Sequence, residues 1–344
     1  MEHFIKNIEI SNFKSFKHLQ VEGFKRINLF IGKPNVGKSN FLEALGLFSV
    51  AALNENDNFN ELLRFESPTE IFYDLNIKDS VSVIMNDNKK KIKLYLIFNR
   101  NDGIKIYESF IHNAYEIEQS FQFGLNNLLN HKSIIPSSYI LNHYLKYNFN
   151  PNLILKTKEI EEYSGFGYKL LPPTGTNIAQ VLELLPNLRK TFESWFNQYG
   201  LRLVLDKTSQ SLKIMKDKGD EGVFLLPYSS IADTLQRIIF YKTAIASNEN
   251  SVLIFEEPEA HAFPPYIAEF TRDVINSTTN QFFIATHSPF ILNDFLEDAR
   301  EELAIYIVDF KDGQTVMKGL SREEIEEVYK YGVDLFFNYE SYLA

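Results

Sequence analysis

The residues with the clearest chemical potential lie at 32–39, where glycines, a lysine and a serine are spaced as in a phosphate-binding loop. The segment reads GKPNVGKS and matches G-x-x-x-x-G-K-[ST] at every fixed position. Glycines let the backbone curl around phosphate oxygens, and successive N–H groups at a helix N-terminus attract the anion. The lysine of such a loop reaches the β- and γ-phosphates, and the hydroxyl ligates Mg²⁺. The motif therefore predicts a nucleoside triphosphate site with Mg²⁺.

The sequence around the loop favours this interpretation over an ordinary glycine turn. The apolar stretch 26–31 predicts a buried strand before it, and helical apolar spacing predicts a helix over 38–50. Strand, glycine loop and helix are the order that the motif requires. The loop residues predicted to contact the nucleotide are Gly32, Pro34, Asn35, Val36, Gly37, Lys38, Ser39 and Asn40, with Ser39 also on the metal.

Two adjacent carboxylates, Glu256 and Glu257, follow a short apolar strand predicted at 251–255. A site that hydrolyses a triphosphate needs a carboxylate near Mg²⁺ and a group that orients water. Glu256, at the strand end, can reach the metal shell, and Glu257 can polarise the water. Paired acids also occur in plain strand-to-helix loops, but the phosphate loop favours the catalytic interpretation.

His287 directly follows another apolar strand, predicted at 281–286. A strand in the same sheet would place it at the same edge, where it can face the γ-phosphate. A lone histidine after a strand is more often structural. Its position 30 residues after Glu257 favours a role in sensing or stabilising phosphate charge.

These candidate residues depend on a sheet, and strand and helix patterns alternate through both ends of the chain. Such alternation implies a mainly parallel sheet covered by helices. Further strands are predicted at 3–10 and at the segments ELAIYIVDF and GQTVMKGL. Further helices are predicted at 229–246, PPYIAEFTRDVINS, the segment opened by Ser288-Pro289, and SREEIEEVYKYG.

The part of the chain between these ends contains a β-meander and a less legible segment. Four stretches within 68–110 (IFYDLNI, VSVIM, KLYLIF and IKIYESF) predict strands, and the lysines at 89–91 predict a solvated turn. Helices are predicted at 115–130, 137–147 and 176–198, followed by a hairpin that turns around Lys207–Gln210. The expected domains are an N-terminal lobe at 1–111, an inserted, mainly helical lobe at 112–225 and a C-terminal lobe at 226–344.

Composition narrows the class of protein. The 344 residues are 44% hydrophobic and 23% charged, which is typical of globular proteins and excludes disordered and fibrous classes. The absence of cysteine excludes disulfides, thiol catalysis and cysteine-ligated metals. The sequence has no apolar run of 18 residues and no signal-peptide pattern, so we expect a cytoplasmic protein without membrane association. A net charge of −10 argues against broad DNA coating but leaves a local basic groove open.

Four segments together resemble the ABC-type ATPases of the RecF/SMC/OLD group, most closely the stand-alone AAA15/AAA_21 ATPases of bacterial anti-phage defence operons. They are NFKSF (12–16), GKPNVGKSNFLEAL (32–45), VLIFEEPEAHAFP (252–264) and ATHSPFIL (285–292). The resemblance implies an α/β P-loop NTPase fold like an ABC ATPase head, with a mixed or parallel sheet, an antiparallel β-subdomain and an inserted helical lobe.

The resemblance also implies roles for matched positions. Glu256 would be the metal-side acid of the Walker B motif, Glu257 the catalytic base and His287 the switch histidine. Lys14, with its neighbours Ser15 and Phe16, would lie near the nucleotide, although a surface turn explains these three residues equally well. ATP and Mg²⁺ are the implied cofactors.

The sequence departs from this group at the signature loop, usually LSGGQ-like, which should precede the helix at 229–246. The segment 228–237 reads YSSIADTLQR and lacks the glycines. Ser229 or Ser230 could still reach a γ-phosphate across a dimer, and Ser230 is included among the nucleotide contacts. A glutamine for the Q-loop has no clear candidate, because Gln119 and Gln122 fall in a predicted helix and suit a surface equally well.

We therefore expect a homo-oligomeric ATPase that regulates or scaffolds a partner effector, such as a nuclease or toxin encoded nearby. The C-terminal region contains no paired-acid nuclease set, so such activity would belong to the partner. Two alternatives stay open. One is a RecF-like DNA repair or maintenance ATPase, and the other is a nonhydrolytic scaffold that uses ATP as a structural clip to hold a toxin.

Overall fold

The computed structural model describes residues 4–53, 57–86, 91–112, 115–133, 144–149 and 169–343. Contacts divide the chain into two compact units. The first comprises Met1–Lys146, Asn250–Glu257 and Thr278–Ala344, and the second comprises Tyr147–Glu249 and Pro258–Ser277. No helix among the described residues is long and apolar enough to cross a membrane.

Strands outnumber α-helices among the described residues. The strands are β1 (Asn7–Phe13), β2 (Phe16–Glu22), β3 (Ile27–Ile31), β4 (Val81–Asn86), β5 (Lys91–Asn99), β6 (Gly103–His112), β7 (Tyr115–Phe123), β8 (Leu129–Ser133), β9 (Tyr144–Tyr147), β10 (Leu201–Asp206), β11 (Ser211–Asp217), β12 (Val223–Pro227), β13 (Val252–Glu256), β14 (Gln281–Ala285), β15 (Leu303–Lys311) and β16 (Gln314–Gly319). The helices are α1 (Lys38–Gly46), α2 (Ile178–Leu184), α3 (Pro186–Asn197), α4 (Asp233–Ala246), α5 (Pro264–Asn276), α6 (Pro289–Asp298), α7 (Arg322–Tyr331) and α8 (Leu335–Asn338).

The sheet that positions the candidate site has six strands in the order β16-β15-β3-β14-β13-β9. Strands β15, β3, β14 and β13 are mutually parallel, and β16 is antiparallel to β15. Every residue of β3 and β14 is buried, as expected for parallel strands covered on both faces. The alternation of strands and helices therefore predicted the parallel sheet correctly.

The other sheet of the first unit has seven strands in the order β2-β1-β4-β5-β6-β7-β8, and neighbouring strands in it run antiparallel. In β4 buried and half-buried side chains alternate, because one face of the sheet lies against the core. This arrangement confirms the predicted meander for three of its four apolar stretches.

An aromatic cluster fills the core of the first unit. Phe30 of β3 lies 4.7 Å from Phe41 of α1 and 5.3 Å from Tyr306 of β15, measured between ring centroids. Phe24 contacts Phe283 of β14 at 5.0 Å. Large aromatic side chains bury more area than other residues, so this cluster ties the phosphate loop's strand and helix to their neighbours.

The second unit contains a three-stranded antiparallel sheet, β10-β11-β12, and the helices α2 to α5. The hairpin predicted around Lys207–Gln210 is confirmed by the pairing of β10 with β11. Helix α5 begins at Pro264. Proline lacks a backbone N–H, but the N–H groups of the first helical turn form no hydrogen bonds within the helix, so proline is well tolerated there. Lys242 of α4 is buried and lies 2.7 Å from Asp273 and 3.4 Å from Glu269 of α5, which joins the two helices.

Several local predictions were wrong. The stretch 71–77 forms short 3₁₀ turns instead of a strand, because Asp74 and Leu75 have positive φ angles of 50° and 56°. Residues 115–130 form β7 and the start of β8 instead of a helix. The backbone of β7 pairs along β6, and Phe121 and Phe123 are buried with the two-residue period of a strand.

Other helix boundaries also differ from expectation. The segment 176–198 is two helices, because α3 restarts at Pro186 after Leu185 adopts a non-helical conformation. Within the predicted helix 137–147, residues 144–147 form β9, and 137–143 lie outside the described residues. The lysine turn at 89–91 is described only from Lys91, the first residue of β5.

The two compact units are not divided at residues 111 and 225. The described part of 112–225 contributes β7 and β8 to the first unit and contains both strands and helices. The expected division at 1–111, 112–225 and 226–344 stays a prediction about domains.

Candidate nucleotide-binding site

The phosphate loop connects β3 to α1, as the motif predicted. Gly37, at the N-cap of α1, has φ 106°, and Asn35 has φ 62°, so the chain turns through left-handed conformations. Lys38 is buried, and its Nζ donates to the carbonyl oxygens of Gly32 at 2.8 Å and Lys33 at 2.7 Å. The lysine thus lies across the loop, with its charge where phosphates would enter.

Two glycines are needed here because other chain segments approach the loop closely. A Cβ on Gly32 would lie 2.2 Å from the backbone oxygen of Val308, and one on Gly37 would lie 2.0 Å from Oγ1 of Thr315. Neither contact is sterically acceptable, and the φ of Gly37 adds backbone strain for any other residue. The fixed glycines of the motif therefore serve packing as well as phosphate binding.

Three hydroxyl and amide side chains hold the loop from outside the motif. Thr315 of β16 donates through Oγ1 to the backbone oxygen of Val36 at 2.7 Å and lies 2.7 Å from Oγ of Ser15. Asn40 donates to the same Ser15 hydroxyl at 2.8 Å. Ser15 therefore lies beside the loop, as the resemblance implied, whereas nothing near the motif in the sequence pointed to Thr315.

The paired acids and the histidine lie at the carboxyl ends of neighbouring parallel strands. Glu256 ends β13, and the backbone N–H of Glu257 donates to the Ala285 carbonyl at the end of β14. Nε2 of His287 is 3.6 Å from Oε1 of Glu257. Glu257 has φ 43°, an uncommon conformation that turns the chain sharply after the strand. Because β3 pairs with β14, the phosphate loop emerges at this same edge.

Electrostatics link the same groups. Burial lowers the pKa of Lys38 to about 8, and Glu257 and Glu256 oppose that effect. Burial also lowers the pKa of His287, the Lys38 charge lowers it further, and Glu257 opposes both. At neutral pH the imidazole is therefore mainly neutral, able to donate through one ring nitrogen and accept through the other.

A buried carboxylate, Glu43 of α1, organises charges beside the loop. It forms ion pairs with Lys14 and with Nε of Arg64, the latter at 2.9 Å, and its side chain is fully buried. Burial alone would raise the pKa of Glu43, but Lys146, Lys14 and Arg64 outweigh burial and hold the pKa below its ordinary value. Lys146 is itself buried, and burial lowers its pKa to about 8 against the opposing charge of Glu43.

Arg64 connects this cluster to the paired acids. Its second guanidinium nitrogen lies 2.8 Å from Oε1 of Glu256, while its side chain is 64% exposed. Neither Glu43 nor Arg64 was singled out from the sequence. The available signal for Glu43 was a charged residue among the apolar positions of α1, whereas Arg64 falls in an irregular segment with no motif.

A pocket of about 500 Å³ opens beside the loop and is lined by polar and aromatic side chains. Lys14 lies on its wall, but its Nζ is occupied by Glu43 and by the Arg64 carbonyl oxygen at 2.6 Å. A contact from Lys14 to the nucleotide stays a prediction. The pocket is large enough to be a candidate site for a nucleoside. The lining residues that a nucleoside there would contact include Ser15, Asn40, Phe72, Tyr73 and Phe310.

The signature-like segment differs from its predicted form. Helix α4 begins at Asp233 instead of residue 229, because Ala232 has an extended backbone, and Ser229 and Ser230 are exposed in a 3₁₀ turn before it. Gln119 lies in β7, buried, and donates to the buried Glu108. It is therefore neither helical nor a surface residue.

The oxygen donors present fit Mg²⁺. Ser39 would offer a hydroxyl and Glu256 a carboxylate, and Mg²⁺ is usually held by one or two such groups together with substrate phosphates. Among the described residues no three His, Asp or Glu side chains cluster into an all-protein cage, so phosphate oxygens would complete the coordination.

Comparison with known proteins agrees with this geometry. A family model described as "AAA domain, putative AbiEii toxin, Type IV TA system", AAA_21, matches residues 27–293. The chain belongs to the AAA_21 family. An ATP/GTP phosphatase of Helicobacter pylori is 25% identical over 319 residues, which cover 83% of this AAA_21 chain and 85% of that protein.

Similarity extends to two other groups. A DNA replication and repair protein RecF of Clostridium beijerinckii is 25% identical over 128 residues, 37% of this chain and 31% of RecF. An SMC head bound to the C-winged helix domain of ScpA superposes with TM-score 0.53 at 16% identity, covering 93% of this chain and 99% of that one. The AAA_21 chain therefore has a fold like that of an SMC head, a P-loop ATPase fold, and is similar to RecF over part of its length, as the resemblance implied.

Proposed function

We propose that the chain binds ATP with Mg²⁺ and hydrolyses it, and that the hydrolytic cycle controls self-association and a partner effector. The observation that carries this proposal is the convergence of Lys38, Glu256, Glu257 and His287 at the carboxyl edge of one parallel sheet. Phosphoryl transfer needs positioning and charge stabilisation more than covalent chemistry, and these are the residue types that supply both.

Each residue has a separate task in this proposal. Backbone N–H groups of 32–39 and the charge of Lys38 bind the phosphates. Ser39 and Glu256 hold the metal, which when bound neutralises phosphate charge. Glu257 accepts a hydrogen bond from the attacking water and orients it, and neutral His287 can donate a hydrogen bond towards the γ-phosphate.

Arg64 adds a step to this cycle. In the present structure it pairs with Oε1 of Glu256, so this ion pair engages one oxygen of the carboxylate that would hold the metal. The Arg64 side chain is 64% exposed and the Glu256 side chain 19%, so Arg64 has room to turn into solvent and release that oxygen.

The first test is nucleotide binding by Lys38→Ala. Removing a buried charge that lies across the loop should weaken ATP affinity at least about tenfold, since hydrogen bonds to charged groups contribute about 1.5–3 kcal/mol. Isothermal titration with ATP and Mg²⁺ measures it. Lys207→Ala is the matched control, because Lys207 is 77% exposed, lies far from the loop in sequence and pairs with Glu183. Equal affinity in wild type and Lys38→Ala would refute the phosphate-loop assignment.

We also propose that a second copy closes over the nucleotide and offers Ser229 or Ser230 to the γ-phosphate. Both residues are exposed, which such a contact requires. The chain's net charge of −10 makes copies repel at long range, so the contact must be local.

The self-association prediction uses a variant that binds ATP and hydrolyses it slowly. Light scattering should show Glu257→Gln as a larger assembly with ATP and Mg²⁺ than without, and Ser230→Ala in that background should weaken the shift. A monomer under both conditions at micromolar protein would remove the composite site and favour ATP as a structural clip.

An effector controlled by the ATPase is supported by the family description, which names a toxin–antitoxin system. A RecF-like role on DNA is the second candidate, favoured by the similarity to RecF proteins. One measurement distinguishes the effector role from the RecF-like role. Salt-sensitive binding to duplex DNA supports the RecF-like role, and its absence supports an effector protein.

A further inference from the structure

The chain's negative charge is concentrated near its C-terminus. Residues 289–343 contain 13 Asp and Glu against five Lys and Arg, which gives −8 of the total −10. Three of those five cations are engaged in ion pairs inside the segment: Arg300 with Glu326 and Arg322 with Glu301, each at 2.7 Å, and Lys318 with Glu324 at 3.5 Å. Arg26 and Lys33, from outside the segment, pair with Glu302 and Glu340. Among the described residues no ion pair involves Glu297, Glu323 or Glu327, and these three exposed acids keep the surface negative.

Within this segment, α6 and the stretch from α7 to α8 border a groove of about 320 Å³. We call it the α6–α8 groove. Its α6 side presents one helical face, with lining residues at Pro289, Leu292, Asn293 and Leu296. Glu297 and Asp334 also line it, so the groove has a mixed polar and apolar lining with an acid on each side. The remaining apolar lining comes from Val328, Tyr329, Val333 and Phe336.

Exposed aromatic side chains adjoin the lining residues in sequence. Phe337, next to Phe336, is 86% exposed, Tyr331 is 68% exposed and Phe290, next to Pro289, is 58% exposed. Exposed apolar patches rimmed by charged residues are typical of interaction sites, because a protein without a partner at that surface usually buries such large apolar side chains in its own core.

We propose that the α6–α8 groove binds a basic amphipathic helix of a partner protein. A helix laid in a groove anchors through apolar side chains at i, i+3, i+4 and i+7, which would contact the apolar lining residues and the exposed aromatic side chains beside them. Lysine and arginine on its flanks would meet Glu297 and Asp334. The proposal goes beyond ATP hydrolysis and requires no nucleotide.

Charge excludes the other occupants. DNA and anionic lipid are polyanions that a segment of charge −8 repels. A second copy on a twofold axis would place the same acidic patch against itself, and like charges across an interface cost several kcal/mol. This acidic surface would attract a positively charged partner and increase its rate of association.

The probe is a fluorescein-labelled 14-residue peptide, LKKLLKLLKKLLKL, and its control is the same peptide with every Lys replaced by Glu. Fluorescence anisotropy on the full chain, without ATP, should show binding of the basic peptide only. Glu297→Lys should weaken it about tenfold, whereas Asp220→Lys, the same charge change on an exposed turn of the second unit, should leave it within about twofold.

Hydrogen exchange should show peptide-dependent protection at 289–297 and 328–337. Equal weakening by Glu297→Lys and Asp220→Lys, or protection elsewhere, would overturn the proposal. So would binding of the acidic peptide, or a dimer without ATP that Glu297→Lys dissolves. Because no arm contains nucleotide, loss of peptide binding leaves the ATPase proposal standing, and loss of hydrolysis leaves the groove standing.

Discussion

Glu257→Gln is expected to bind ATP with nearly wild-type affinity and to hydrolyse it at least about 100 times more slowly. A positioned general base commonly contributes about 10²–10⁴-fold in rate. Glu257 lies beside His287 at the edge where the phosphate loop emerges, and its side chain is 47% exposed, so water can reach it. Glutamine keeps the size and hydrogen-bonding capacity but cannot accept a proton. Single-turnover phosphate release and ATP titration measure the two quantities separately.

The control for this variant is Glu301→Gln, an equal change at a carboxylate that is 70% exposed and pairs with Arg322. It should hydrolyse ATP at the wild-type rate. Wild-type turnover by Glu257→Gln would contradict the base assignment. Loss of ATP affinity together with turnover would place Glu257 in nucleotide binding instead of catalysis. The opposite pattern, lost binding, is expected for Lys38→Ala, so the two variants distinguish the two halves of the site.

The sequence was sufficient to identify this edge of the sheet. Lys38, Glu256 and His287 each follow a short apolar strand, and parallel strands bring their carboxyl ends together. That reasoning needs only local patterns and one topological rule. It could not reach Thr315, which meets the loop through β16 at a sequence distance of 279 residues from Val36. No local pattern marks a threonine whose role depends on tertiary packing.

The errors in secondary structure have a related cause. In β7 the sequence EIEQSFQF is polar enough to suit a helix surface, and its identity as a strand depends on pairing with β6. Around residue 74 the apolar pattern fits a strand, but two positive φ angles break it. Tertiary contacts decide both cases, because strand preference reflects the neighbours a segment packs against.

Glu43→Gln is expected to destabilise the fold by about 3–5 kcal/mol, the usual cost of removing one partner from a buried ion pair. Glu43 is fully buried among Lys14, Lys146 and Arg64. Removing its charge leaves buried Lys146 without the carboxylate that opposes the effect of burial on its pKa. Urea unfolding followed by fluorescence measures the loss.

Arg64→Gln is the matched comparison, because it breaks the same cluster from an end that is 64% exposed. Its cost should be smaller than that of Glu43→Gln, because Lys14 and Lys146 still compensate the buried Glu43 carboxylate. Equal destabilisation by both variants would show that the burial of Glu43 does not determine how much this cluster contributes to the free energy of unfolding.

Acid provides an independent check on the same carboxylate. The surrounding cations hold the pKa of folded Glu43 below the ordinary value of 4.5, so its stabilisation is fully present above that pH and is lost as pH falls below it. The difference in unfolding free energy between wild type and Glu43→Gln should therefore shrink as pH falls below about 4.5. A difference that stays unchanged in strong acid would contradict a lowered pKa of Glu43, because a carboxyl group that becomes protonated there must give up its ion pairs with Lys14 and Arg64.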